Sequence, residues 1–283
     1  MTKRKAVFAI NWMEVEALTK AKHDNPHHIL GIHECIDDVF VNVYLPDAKV
    51  VKIIDITEGK TYSLISERYD GFYSIRLKDK KTFEYRVKAK FIDGHEESFI
   101  DPYTFDPVID PIDISEFNEG IHYSIYEKLG AHPMKVDGVY GTLFAVWAPN
   151  AERVSVVGNF NNWDGRRYQM RKLDYSGIFE LFIPGEFEDE IYKYEIRSKR
   201  GEVFMKSDPY AVMSEIRPAN ASRVTKLDYK WNDTEWMEKR DKKSLVKSPV
   251  NIYEVHLGSW MRPDDGREFL NYSEIAKKLS RYV

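Results

Sequence analysis

The sequence predicts a mainly β fold class, in which two immunoglobulin-like β-sandwiches in tandem are followed by a single β-α unit. Short runs of β-branched and aromatic residues alternate with turn-forming residues through most of the 283 residues. Several short motifs occur twice in the same order. Near the end, an apolar strand-like run precedes a segment whose apolar residues have helical spacing.

The amino terminus lacks the pattern of a secretory signal. Lys3, Arg4 and Lys5 precede an apolar run that begins at Ala6 and is interrupted at Asn11 after five apolar residues, which is too short for the core of a signal peptide. No stretch of the sequence approaches the length of a transmembrane span. We therefore expect no membrane partner.

Composition argues against a disulfide-stabilised protein and against a nucleic-acid-binding protein. The single Cys35 cannot form an internal disulfide and fits a reducing compartment, although a secreted protein poor in cysteine would show the same count. Acidic and basic residues are interspersed with a net charge of −4, so no extended basic face can neutralise a phosphate backbone. We expect a cytoplasmic monomer that does not bind nucleic acid.

The first predicted element is a short helix at residues 13–22, which ends before Pro26 because the residue ahead of a proline is disfavoured in the α region. Three histidines and Cys35 then lie within residues 27–35. Their spacing matches neither of the usual zinc patterns, so we predict a loop with ordinary histidines, no metal site and no cofactor.

Strands follow from residue 39 onward, where β-branched and aromatic residues are dense. The predicted strands cover residues 39–45, 50–56, 61–66, 71–77 and 83–92. Asp93-Gly94 predicts a turn, and Asp101-Pro102-Tyr103 closes this first unit.

Motifs of the first unit recur further along the chain. The matching pairs are 30–33 with 129–132, 41–48 with 144–151, 70–73 with 176–179, 83–87 with 192–196, and 101–103 with 208–210. Unrelated short motifs would not keep their order in this way. The sequence therefore predicts two copies of one sandwich.

The second copy has a tryptophan in an unusual place. Trp163 follows Asn161 and Asn162 and precedes an Asp-Gly turn, where a core residue is not expected. Such a tryptophan can cover the end of the core or serve as a platform for a ligand. Because a sugar ring has an apolar C–H face edged by hydroxyls, a carbohydrate platform needs an exposed aromatic ring beside amide and charged groups. Asn161, Asn162 and Lys193 could supply those groups.

Comparison of the two copies favours the platform over the core lid. The second copy has GNFNNW at 158–163, whereas the first has DITEGK at 55–60, with no aromatic residue on the turn. A core lid should be needed in both copies. The difference indicates that Trp163 has a binding role.

Two polar segments separate the predicted folded parts. The Pro- and Asp-rich connector at 106–113 predicts an extended, stiff chain. The charged segment 226–248 predicts a linker that is pinned at Trp231 and Trp236.

The last part of the chain predicts one β-α unit of a parallel fold. Residues 250–257 are typical of a buried strand, and the apolar positions of 272–283 have helical spacing. A single unit of this kind cannot bury both faces of its strand.

The segment 251–260, NIYEVHLGSW, resembles the bacterial 1,4-α-glucan (glycogen) branching enzymes of glycoside hydrolase family 13, specifically their amino-terminal part. The tandem sandwiches and the segments SDPYA at 207–211 and IRPANASRV at 216–224 add to the resemblance, which covers essentially the whole chain. The sandwich around Trp163 resembles a carbohydrate-binding module of family 48. Tandem copies followed by YEVHLGSW point to branching rather than debranching.

The resemblance implies that residues 253–257 are the first strand of a (β/α)8 barrel and 272–283 its first helix. It also implies transglycosylation with retention, in which a sugar 6-hydroxyl replaces water as acceptor and an α-1,6 branch forms. In that family the catalytic carboxylates lie on later barrel strands, and no segment here resembles those motifs. We therefore predict no catalytic residue and expect this chain alone to be inactive.

The resemblance further implies that Trp163 stacks on a glucose ring, that Lys193 hydrogen-bonds its hydroxyls, and that Phe204 is a second stacking aromatic residue. With Asn161, these residues form the predicted carbohydrate site. The predicted partner is an α-1,4-glucan such as glycogen.

The sequence thus predicts four parts. They are a first sandwich at 1–113, a sandwich like a family 48 module at 114–228, a linker at 229–248 and the start of a catalytic domain at 249–283. Two alternatives to the branching enzyme remain: a free-standing α-glucan-binding module, and another family 13 enzyme such as an isoamylase or a trehalohydrolase.

Overall fold

Antiparallel sheets account for most of the regular structure in the computed structural model, which describes residues 10–242 and 245–283. The chain divides into one unit that ends at Leu227 and another that begins at Asp228. Each unit is described on its own. In the described part of the chain, no helix has the length and apolar character needed to cross a membrane.

The first half of the first unit contains two four-stranded sheets. Its strands are β1 (Gly31–Cys35), β2 (Asp38–Tyr44), β3 (Ala48–Asp55), β4 (Thr61–Ser63), β5 (Ile65–Ser66), β6 (Phe72–Leu77), β7 (Tyr85–Phe91) and β8 (Glu96–Ile100). The strand orders are β1-β2-β6-β5 and β4-β3-β7-β8. The five predicted strand regions are confirmed, the one at 61–66 is divided into β4 and β5, and β1 and β8 were not predicted.

The second half of this unit contains two further sheets. Its strands are β9 (Gly130–Val136), β10 (Val139–Trp147), β11 (Ala151–Gly158), β12 (Arg171–Leu173), β13 (Ile178–Pro184), β14 (Ile191–Ser198), β15 (Val203–Lys206), β16 (Met213–Ser214) and β17 (Ser222–Arg223). One sheet has the order β12-β13-β10-β9. The other has the order β11-β14-β17-β16, with β15 also paired to β14.

Each half has its own core, which takes alternate residues from both sheets of its pair. The core of the first half includes Val41, Val43, Ile53, Tyr73, Val87 and Ala89. The core of the second half includes Phe144, Val146, Val154, Val156, Leu181 and Tyr192. The mainly β, antiparallel character that the sequence predicts is therefore confirmed.

Two glycines hold matching positions in the two halves. A Cβ at Gly31 would lie 2.5 Å from the carbonyl oxygen of Tyr103, and a Cβ at Gly130 would lie 3.3 Å from the carbonyl oxygen of Tyr210. Both glycines have positive φ, +94° and +118°, where a side chain is strained. The repeated Leu-Gly and Asp-Pro-Tyr motifs thus meet each other in both halves.

A buried tyrosine–aspartate pair also occurs in both halves. The hydroxyl of Tyr85 donates to Asp101 at 2.6 Å, and that of Tyr194 donates to Asp208 at 3.1 Å. Burial raises the pKa of both carboxyl groups, to about 6 for Asp101, although the tyrosine hydroxyls oppose the shift. Through this hydrogen bond, each aspartate links the last segment of its half to a central strand, which is β7 in the first half and β14 in the second.

One helix precedes the strands of the first half in the chain, and another follows them. Helix α1 (Trp12–Thr19) confirms the predicted helix, and Asn11 caps it by accepting a hydrogen bond from the Met13 amide. Helix α2 (Pro111–Glu119) begins inside the connector that was predicted to be extended up to residue 113, so that prediction is wrong at its end. Asp110 and Asp113 form a capping box around a proline at the first helical position, which starts a helix.

The second unit is helical in its regular structure. Its α-helices are α3 (Thr234–Lys242), α4 (Leu257–Trp260) and α5 (Tyr272–Tyr282). Helix α5 confirms the predicted helix near the end. Trp231 and Trp236 are 76% and 61% exposed, so the prediction that they pin the segment is wrong.

The predicted strand at 250–257 is not a strand in this structure. Residues 250–256 have no regular structure, and Ile252 is 91% exposed. A strand is stable only when its backbone groups pair with a neighbouring strand, and no described strand pairs with these residues. Apolar composition alone therefore predicted the wrong local structure here.

Candidate functional site

The turn after strand β11 has an unusual backbone. Residues Asn159–Asn161 form one turn of 3-10 helix, and then Asn162 and Trp163 both adopt left-handed conformations, with φ of 54° and 58°. Positive φ is uncommon for a residue other than glycine, and for a bulky residue it is strained. Strain of this kind persists only where the surroundings enforce it, and it is concentrated at functional sites.

Asn161 enforces this turn from inside. Its side-chain oxygen accepts from the Gly158 amide at 2.9 Å, and its side-chain nitrogen donates to the Val156 carbonyl at 2.9 Å. The side chain is almost fully buried. Asn161 was predicted to contact a sugar, but its amide group is used by the backbone, so its position fits support of the turn.

Trp163 lies on this turn outside the core of the second half. Its backbone amide donates to the Gly158 carbonyl at 2.9 Å, and its indole Nε1 donates to the Asn159 side chain at 3.0 Å. The side chain is half-buried. These two bonds fix the orientation of the ring without placing it in the core.

Phe160 covers the end of the core instead. Its ring contacts Phe187 at 5.0 Å, Tyr168 at 6.0 Å and Phe144 at 6.4 Å between centroids. All three partners belong to the core of the second half or pack against it. Because Phe160 fills the place of a lid, Trp163 is not needed for that purpose.

Lys193 lies on strand β14 beside the tryptophan turn. It pairs in register with Val157, the residue before Gly158. Its side-chain nitrogen donates to the side-chain oxygen of Asn220 at 2.6 Å. Asn220 was not among the predicted site residues, because it lies 27 residues further along the chain. Only the folded structure brings the two side chains together.

Phe204 lies on the other face of the same sheet. It pairs in register with Ile196, which packs against the core. Side chains alternate between faces along a strand, so Ile196 and Lys193 point to opposite faces, and directly paired residues share a face. The predicted grouping of Phe204 with Lys193 does not fit this register. Met205, paired with Glu195, shares the Lys193 face.

The loop after Trp163 is held against this sheet by a buried ion pair. Arg153, only 2% exposed, bonds Glu195 at 2.7 Å. The Ser155 hydroxyl donates to the Gly165 carbonyl at 2.7 Å. A Cβ at Gly165 would lie 1.9 Å from a carboxylate oxygen of Glu195. Glycine at 165 therefore allows the loop to lie directly on the carboxylate.

The first half also holds this loop. Arg166 bonds Asp47 at 2.6 Å, and Arg167 forms a bidentate pair with Glu97 at 2.7 and 3.2 Å. Burial alone would raise the pKa of Glu97, but hydrogen bonding to Arg167 lowers it overall. Two paired arginines thus join the tryptophan turn to the neighbouring half.

Helix α1 makes two further contacts with the same region. The Gln169 side chain donates to the Leu18 carbonyl at 3.1 Å, and the Arg153 guanidinium donates to the Ala21 carbonyl at 3.3 Å. These bonds tie the end of the helix to strand β11 and to the loop that follows Trp163. The tryptophan turn is therefore supported by both halves of the unit.

Two family models match separate parts of the chain. Residues 11–103 match "alpha-1,4-glucan branching enzyme GlgB, N-terminal domain". Residues 128–211 match "Carbohydrate-binding module 48 (Isoamylase N-terminal domain)". The second match contains Trp163 and Lys193, and it ends before Asn220.

Curated relatives match nearly the whole chain. A 1,4-alpha-glucan branching enzyme GlgB of Roseobacter denitrificans is 42% identical over 279 residues, which are 97% of this chain and 38% of the relative. Proteins of the same name from Cellvibrio japonicus and Gloeobacter violaceus are each 43% identical, covering 93% and 95% of this chain and 37% of each relative. The chain spans less than two fifths of these relatives. It is thus similar, along nearly all of its own length, to the amino-terminal part of bacterial 1,4-α-glucan branching enzymes.

Proposed function

We propose that this chain is the glucan-binding, amino-terminal part of a 1,4-α-glucan branching enzyme. The observation that carries the proposal is Trp163, a half-buried indole fixed on a strained turn outside the core. Phe160 already covers the core end. The similarity to branching enzymes and to a carbohydrate-binding module supports the same assignment.

The site recognises a glucose ring through complementary groups. The face of the Trp163 indole packs against the apolar C–H face of the sugar. The Lys193 ammonium has three donors, one of which bonds Asn220, so the others can bond sugar hydroxyls. The Lys193–Asn220 bond also fixes the direction of the long lysine side chain, which lowers the entropy lost on binding.

In this proposal the two pairs of sheets are tandem copies of one immunoglobulin-like sandwich, of which the second binds glucan. The matching contacts of Gly31 and Gly130, and of Asp101 and Asp208, support the duplication. Residues 249–283 correspond to the start of a (β/α)8 barrel. Residues 250–257 become its first strand when neighbouring barrel strands pair with them, and the exposed apolar side chain of Ile252 supports this reading.

The chemistry of the whole protein is cleavage of an α-1,4 bond and transfer of the released segment to a 6-hydroxyl, with retention through a glycosyl-enzyme. This chain supplies binding to a polymeric substrate in the cytoplasm. We assign no catalytic residue among the described residues. A bound polymer stays near the catalytic domain between turnovers, which raises the effective concentration of its chain ends.

Native electrophoresis in gels that contain glycogen tests the proposal. We expect glycogen to retard the chain, and we expect Trp163→Ala to weaken binding by about 1–3 kcal/mol, the range for loss of a stacking ring. Tyr175→Ala is the matched control, because Tyr175 is a fully exposed aromatic residue on a different turn. Equal retardation of the parent and the Trp163 variant would refute the assignment of the site.

A further inference from the structure

A groove lies between the first half and the tryptophan turn. Asp47, Ile92 and His95 line it from the first half, and Asn162, Asp164 and Arg167 line it from the second. Its volume is about 470 Å³, which is within the usual range for a ligand site. The site at Lys193 and Asn220 does not account for this space.

One wall of the groove carries a ring that is fixed in advance. The imidazole of His95 stacks on Phe91 with centroids 4.2 Å apart and planes 4° apart. Its Nδ1 contacts Asp93 at 2.5 Å and its Nε2 contacts Glu97 at 3.3 Å. The side chain is nevertheless 44% exposed. A flat ring supported on one face and at both nitrogens presents its other face to a ligand at little entropic cost.

Each carboxylate of the groove contacts a basic side chain, and Asp93 contacts His95. Asp47 and Asp164 are paired with Arg166, and Glu97 is paired with Arg167. A charged ligand would meet groups of its own sign, whereas a neutral polyhydroxyl chain can donate to the carboxylates and accept from the guanidinium groups. Ile92, largely exposed, adds apolar surface for C–H groups.

The groove reaches the turn that carries the proposed platform. Asn162 and Asp164 line it, and Trp163 lies between them on the same turn. The Asn162 side chain is exposed and carries both an amide donor and an acceptor. A polymer that stacks on Trp163 therefore has a polar path around the turn towards His95.

We propose that this groove binds a further stretch of the α-glucan held at Trp163, with the His95 ring as a second stacking surface. The inference rests on the proposed function of Trp163. It gives the first half a direct part in binding: the hairpin of β7 and β8 supplies one wall, and the tryptophan turn supplies the other.

Titration of the full 283-residue chain with maltotriose and with maltoheptaose tests the groove. We expect His95→Ala to raise the Kd for maltoheptaose about threefold to tenfold, as loss of an aromatic contact does, and to leave that for maltotriose nearly unchanged. His95→Phe should restore maltoheptaose binding, because it keeps a flat ring on Phe91. Trp163→Ala should weaken both sugars.

Glu96→Ala is the matched control. Glu96 follows His95 and is the first residue of β8, but its side chain pairs with Lys88 at 3.3 Å on one face of the sheet. If His95→Ala bound both sugars with the affinity of the parent, the proposal that the groove binds glucan would be wrong, whereas the proposed role of Trp163 would be unaffected. Equal weakening of both sugars with a lower melting temperature would also overturn it, since His95 would then act by moving the turn. Loss of maltoheptaose binding in His95→Ala without any effect of Trp163→Ala would overturn the platform instead.

Discussion

Replacing Gly165 by alanine should destabilise the second half, because the new methyl group would occupy the place of the Glu195 carboxylate. The Cβ would lie 1.9 Å from one carboxylate oxygen and 2.2 Å from the carboxyl carbon. The end of the glutamate side chain is flexible and can swing away. It then gives up its 2.7 Å ion pair with Arg153.

The cost follows from the burial of Arg153. Removing one partner of a buried ion pair costs about 3–5 kcal/mol, because the other charge stays buried without compensation. Arg153 keeps bonds to the Ser155 hydroxyl at 2.8 Å and to the Ala21 carbonyl at 3.3 Å. Because these acceptors remain, we expect the free energy of unfolding to fall by about 3 kcal/mol, the lower end of this range.

Urea unfolding at 25 °C measures this loss, and a double-mutant cycle tests its cause. Glu195→Ala removes the carboxylate, so Gly165→Ala should cost almost nothing further in that background. If alanine at 165 cost the same with and without Glu195, the clash would not be the cause and the reasoning would be wrong. If Gly165→Ala lowered the free energy of unfolding by less than about 1 kcal/mol in the parent background, Arg153 would not depend on its ion pair with Glu195.

Two further outcomes are expected. Burial raises the pKa of Asp101 from 3.8 to about 6, so the folded state holds a proton that the unfolded state releases, and the contribution of Asp101 to stability falls as pH rises from about 4 to 6. Asp101→Asn does not titrate, so its free energy of unfolding, measured with urea, should rise by about 3 kcal/mol relative to that of the parent between pH 4 and pH 7; a constant difference would contradict this. Phe160→Ala should lower the free energy of unfolding by about 3 kcal/mol and Trp163→Ala by less than about 1 kcal/mol; the reverse order would make Trp163 the core lid.

The strands of the first unit could be predicted because their side chains carry the pattern. Val41 and Val43 alternate with residues of the other face, and the same alternation recurs in Val154 and Val156. This alternation is a local pattern, so it can be read from the sequence without knowing which strands pair. The segment 250–257 shows the limit, since an apolar run becomes a strand only where another strand pairs with it.

The local geometry of the candidate site could be predicted only in part. Trp163 was identifiable because a tryptophan is unusual on a turn. The first copy has no aromatic residue at the matching turn, which favoured a binding role over a core role for Trp163. The face of Phe204 depends on its register with Ile196, which the sequence does not display. The burial of Asn161 depends on the path of the turn around it. Asn220 and His95 join the proposed binding surface only through contacts between distant segments.

The contacts of helix α1 have a consequence for the order of events during synthesis. The carbonyls of Leu18 and Ala21 accept from Gln169 and Arg153, which follow 151 and 132 residues later. At about 5–20 residues per second, the ribosome needs about 8–30 s to make the intervening chain. Until then these two contacts are absent, while the apolar face of the helix can already pack on Leu30 and Phe72. The tryptophan turn is thus completed by a helix that emerged from the ribosome before it.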